Sequence, residues 1–179
     1  SSGLLFGASY TKGSAYCQGF PVMHFLSCES PNAAYDVYTK ITTGSLTVLA
    51  EFAKTVDVWP GTFNPDIPQF TASRVSSFSV GGKYRATVGI TPLDISGEFS
   101  RFTAGPDGAP WDDQDQLVLG VAAYVTRSAK LFGEYIRTDG YAPLNFISGG
   151  GGPNVSPGET HSDNDARSNV VVVGVNVAF

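Results

Sequence analysis

The sequence predicts an all-β protein: a transmembrane antiparallel up-and-down β-barrel, read as a single domain over residues 1–179 in which eight strands are visible. Three observations carry this. Apolar and polar residues alternate at period two along the whole chain, and no stretch holds a 3.6-residue period. The alternating runs are about 10–13 residues long, where soluble strands have about 5–6 and a tilted membrane-spanning strand about 9–11. The connections between them are alternately long and short, as in outer-membrane barrels with external loops and periplasmic turns.

In order, the strands are expected at Gly3–Lys12, Ala33–Thr42, Ser45–Thr55, Ser73–Arg85, Pro92–Phe102, Gln114–Thr126, Ala129–Thr138 and Ser168–Phe179. Long connections, at about Gly13–Asn32, Val56–Ala72, Thr103–Asp113 and Asp139–Arg167, follow strands one, three, five and seven. The last strand reads Val-x-Val-x-Val-x-Val-x-Phe and ends on Phe179, the expected signal to the barrel-assembly machinery. A soluble sandwich or lipocalin-like barrel would also alternate. The loop pattern and the aromatic ending decide against it.

Parity assigns the faces. One carries Tyr35, Val37 and Ile41; Leu46, Val48 and Phe52; Phe78, Val80 and Tyr84; Leu93, Ile95 and Phe99; Leu117 to Val125; Leu131 and Tyr135; and Val171 to Phe179. No charge falls in the middle of these runs, as lipid requires: Arg or Lys at the bilayer midplane costs about 2–4 kcal/mol. The other face carries the expected lumen residues Asp36, Lys40, Glu51, Lys83, Asp94, Glu98, Lys130 and Glu134, with Tyr38, Gln116, Tyr124 and Asn176. A small–Glu–aromatic triplet recurs at Ala50-Glu51-Phe52, Gly97-Glu98-Phe99 and Gly133-Glu134-Tyr135. In a barrel its glutamates would share one height inside, with the rings near the upper interface. These carboxylates either form an acidic zone favouring cations or, on the plainer reading, pair with Lys40, Lys83, Lys130 or Arg137.

Other classes find little support. A net charge of −5 argues against a nucleic-acid partner. No apolar run of about 18 residues exists for a membrane helix, and the opening residues do not read as a signal peptide. His24 and His161 fall in long loops with no nucleophile–base arrangement, so no catalysis is expected. Glu159, Asp163 and Asp165 are weak metal candidates beside His161; without a full calcium-loop pattern they read as a solvated acidic loop, and no cofactor is expected. Gly149 to Gly152 lack the Lys and helix of a phosphate cradle. Cys17 and Cys28 flank an apolar loop and are candidates for a local disulfide in an oxidising compartment.

The run from Ala34 to Phe52, AYDVYTKITTGSLTVLAEF, resembles a stretch of the LbtU-type siderophore porin family; Phe6–Tyr10, Leu131–Tyr135 and the closing Asn169–Phe179 are similar to other strands of it. The resemblance implies a porin of a Gram-negative outer membrane associated with siderophore uptake, and brings no catalytic or ligand residues. The cysteine loop departs from the family, and its members have about twice the strands seen here. The match would then be to a C-terminal half, with either an N-terminal half missing or the chain a compact relative.

Two architectures therefore stand open. Eight strands closing alone leave room only for side chains, giving a non-conducting barrel that acts through its loops; about sixteen enclose a channel. Small inner-face residues (Ala34, Ser77, Ser79, Gly81, Gly120, Ala122, Gly174) favour a lumen. The expected partners are the lipid bilayer, lipopolysaccharide and a small-molecule solute, with a homo-oligomer left open.

Overall fold

The structure, a computed structural model, describes residues 2–16, 18, 30–58, 74–104, 113–140 and 166–178. All eight strands form: β1 (Ser2–Thr11), β2 (Ala34–Thr43), β3 (Leu46–Thr55), β4 (Ser76–Val88), β5 (Thr91–Thr103), β6 (Asp113–Tyr124), β7 (Ala129–Gly140) and β8 (Ala166–Val177). They lie in one sheet in sequence order, every neighbouring pair antiparallel. No helix occurs among the described residues.

Short turns set the register. Gly44 (φ 56°) and Gly89 (φ 63°) each occupy the first position of a two-residue hairpin turn, where positive φ excludes most side chains. The second turn lengthens β4 beyond the expected Arg85: Ala86–Val88 pair with Thr91–Leu93 before the chain reverses at Gly89-Ile90. With period two, correct register keeps every apolar run on one side. Thus Val48 stands opposite Ile41 and Gly82, Ile95 opposite Tyr84 and Val121, and Leu131 opposite Ala123 and Val175.

The sheet is open. β1 pairs only with β2 and β8 only with β7, and the two end strands make no contact with each other. The option of eight strands closing on themselves is therefore not what the chain adopts. A closed eight-stranded cylinder fills its interior with side chains, whereas Lys40, Glu51, Lys83, Glu98 and Glu134 are exposed on the polar face.

Among the described residues no second layer of strands or helices covers either face. Val75 and Ala104 are the only buried apolar residues described, while Ile41, Val80, Ile95, Leu119, Val121, Leu131 and Val173 are all exposed on one continuous face. Monomeric soluble proteins rarely leave an apolar surface of this extent in water.

Candidate functional site

The polar face is the candidate site. Asp36, Lys40, Glu51, Lys83, Asp94, Glu98, Lys130 and Glu134 all fall on it: cross-strand partners share a face, and each of these is linked through the register to the others' parity. Thr47, Leu49, Gly81, Lys83, Glu98 and Glu134 line a hollow there that reaches from β3 to β7. Its surroundings are not uniformly polar. Val118, Ile136, Val170 and Val172 put an apolar strip on the same face in β6 to β8.

The expected ion pairing of the glutamates does not occur. Among the described residues no ion pair involves Glu51, Glu98 or Glu134. Arg137 belongs to the opposite face: it stands across from Leu117 and Asn169 and bonds Asp139 through Nε at 2.6 Å. Its parity, that of Tyr135, already placed it there. Lys83 instead approaches Asp94, at 3.8 Å.

Asp94 is the centre of a dense network on this face. Its carboxylate accepts from Arg85 Nε and Nη2 at 2.7 and 2.8 Å and from the Tyr124 hydroxyl at 2.9 Å, and Arg85 also lies 5.1 Å from the Tyr124 ring centre. Three strands, β4, β5 and β6, are thereby joined near the short turns. Sequence reading had placed Asp94 and Tyr124 on the face but missed Arg85 as their partner. The available signal was symmetry: Arg85 and Asp94 are equidistant from the Gly89-Ile90 turn, so they stand opposite each other.

At the other end of the sheet, the bases of two long connections are tied together. Asn32, fully buried, donates from Nδ2 to the Asp57 carbonyl at 2.9 Å and accepts the Asp57 N–H at 2.9 Å, while its own carbonyl accepts from Ser14 N–H. Tyr16 packs on Phe102 of β5 with ring centres 6.0 Å apart, which sets it against the polar face. Burial pushes the Tyr16 phenol up. Asn32→Ala should cost about 1–3 kcal/mol, because it takes the partner from the Asp57 N–H and leaves the Asp57 carbonyl only the Thr55 hydroxyl, 3.0 Å away. Faster limited proteolysis of both connections, with the strand core still intact, is the expected readout.

A second regularity was missed by sequence reading. Each small–Glu–aromatic triplet is followed two residues later by a cation: Phe52 by Lys54, Phe99 by Arg101 and Tyr135 by Arg137. These cations share the apolar face's parity but sit towards its long-loop end. There Arg101 bonds Asp115 at 2.6 Å, and Asp139 bonds both Arg137 and Arg167, at 2.6 and 3.1 Å.

Cys17, Cys28, His24, Glu159, His161, Asp163, Asp165, Gly149 to Gly152 and Phe179 lie outside the described residues. The chain matches no known protein-family model, no curated protein and no solved structure.

Proposed function

We propose that this sheet is part of the wall of a porin in a Gram-negative outer membrane, its apolar face against lipid and its polar face lining a passage for small polar solutes, siderophores among them. The observation that carries the reading is the placement of aromatic rings on the apolar face. The hydrogen-bonded row through Phe52 meets β5 at Arg101, and Phe99 lies two residues closer to the short turns. The row through Phe99 meets β7 at Arg137, and Tyr135 again lies two residues closer. The rings therefore descend one residue per strand.

With about 3.3 Å per residue and about 4.8 Å between strands, that slope corresponds to a strand tilt of about 35°. This is the tilt of membrane barrels. In a barrel the three rings fall on one level, joined by Tyr35 beside Phe52 (centres 6.3 Å apart) and Phe78 beside Phe99 (5.8 Å). Below this level the face is apolar; above it stand Lys54, Arg101 and Arg137. Rings at the interface with cations just beyond them are what a bilayer boundary selects.

The unpaired edges of β1 and β8 support a larger barrel. Lipid contains no water to satisfy open strand edges, so further strands must complete the wall, and about sixteen enclose an aqueous channel. Planar-bilayer recordings of the purified full-length protein test the reading. Steady open-channel steps are expected; silence from well-inserted protein would reject conduction in favour of a structural or adhesive barrel.

A further inference from the structure

We infer that the polar face carries two opposed charge tiers stacked along the passage axis, and that these select zwitterionic solutes whose cationic and anionic groups lie about 8–10 Å apart. This rests on the porin reading above and goes beyond it by naming the solute class.

The tiers emerge from the register together with the tilt. The row through Glu51 passes Ser79 and meets β5 at Ser100; Glu98 lies two residues nearer the short turns. The row through Glu98 passes Val118 and meets β7 at Ile136; Glu134 lies two residues nearer the turns. One residue per strand is the slope of the aromatic level, so the three carboxylates stand at one height. Lys40 and Lys83 obey the same rule. The row through Lys40 passes Leu49 and meets β4 at Gly81, and Lys83 lies two residues nearer the turns.

The cations lie below the carboxylates. On β7, Lys130 is four residues closer to the short turn than Glu134, and on β4 Lys83 is three residues below the level of the glutamates. Three residues of strand span about 10 Å. With the strands tilted by about 35°, this is a rise of about 8 Å along the passage, comparable with the Debye length at physiological ionic strength, so each tier still presents its own sign to a passing charge.

The tiers are not internally cancelled. Glu51, Glu98 and Glu134 are exposed and have no ion-pair partner among the described residues. In the lower tier Asp94 offsets one unit of charge against Lys83 and Arg85, while Lys40 and Lys130 add to the positive side. A solute entering from the long-loop side meets the carboxylates first. A dipolar solute whose cationic end rests there reaches the lysines with its anionic end, and the hollow between Glu98, Glu134 and Lys83 gives it space.

The test compares liposome swelling driven by triglycine, a zwitterion of about the right span, with swelling driven by a neutral hexose of similar mass. The native protein is expected to favour triglycine by about fivefold, and the triple substitution Glu51→Gln, Glu98→Gln and Glu134→Gln to remove the preference while leaving hexose entry intact. In bilayers under a salt gradient, that triple variant should move the reversal potential towards anion selectivity. A second variant, Lys40→Gln, Lys83→Gln and Lys130→Gln, should move it towards cation selectivity. Opposite shifts together with the lost triglycine preference support the tiers. A channel that conducts but shows no triglycine preference, or shifts the same way in both variants, overturns the tiers and leaves the porin reading standing. Absence of any conductance overturns both.

Discussion

Val121→Arg is expected to destabilise the protein in lipid by about 2–4 kcal/mol, whereas the same change on a water-exposed surface would stay within about 0.5 kcal/mol. Val121 sits on the apolar face of β6 between Ile95 and Gly133, and is 48% exposed. In water, an exposed valine can become arginine at almost no cost, because the guanidinium is fully hydrated. In hydrocarbon the charge must snorkel or thin the bilayer. The two environments therefore predict outcomes that differ by more than tenfold in the folding equilibrium. Unfolding in urea from lipid vesicles measures it, with the heat-induced mobility shift of the folded band as an independent readout. Val88→Arg is the control. It shares the face but lies at the short-turn end of β4, where the cost should fall to about 0–1 kcal/mol. Equal stability of both variants would remove the apolar face from the bilayer.

The strands were legible because their signal is long and redundant. A run such as Gln114 to Thr126 offers six alternations, and tertiary context has little left to decide once both faces need opposite chemistry. Ends were less legible. β4 continues to Val88 because its turn is Gly89-Ile90, and Ile90, 97% exposed at the tip, carries no turn chemistry of its own. The same extension hid Arg85, which read as a strand end and is a central partner of Asp94.

Pairing was the weakest part of the sequence reading, for a geometric reason. Parity tells which residues share a face, but not which share a row, and only register supplies the second coordinate. Glu98 and Lys83 share a face, yet Glu98 stands opposite Gly81 and Lys83 opposite Ser96. Closure is equally invisible to local pattern. Alternation is the same in a closed cylinder and in an open segment of a wider wall, and the end strands β1 and β8 differ from the others only in lacking a second neighbour. The link from Asn32 to Asp57, 25 residues apart, has no periodic signature at all.

Asp94→Ala is expected to lower stability by about 2 kcal/mol and to alter selectivity as well. The carboxylate accepts three charge-assisted or phenolic hydrogen bonds, at 2.7, 2.8 and 2.9 Å, and its side chain is only 8% exposed. Bonds to charged groups are worth more than neutral ones. The value is held down because the Arg85 and Lys83 side chains are about half exposed, at 52% and 49%, and water screens them. Since Tyr124 bonds both Asp94 and Arg85, the loss of Asp94 should not add to that of Tyr124→Phe; a double-substitution cycle should show a coupling of about 0.5–3 kcal/mol. The electrical consequence has a definite sign. Removing Asp94 leaves Arg85 beside Lys83 without their shared counter-charge, so the lower tier becomes more positive by one unit. The reversal potential should then move towards anion selectivity, the same direction as the three glutamate substitutions and opposite to the three lysine substitutions. A stability loss without that shift would make the Asp94 cluster a strand clamp alone, and would place the lower tier's field on Lys40 and Lys130.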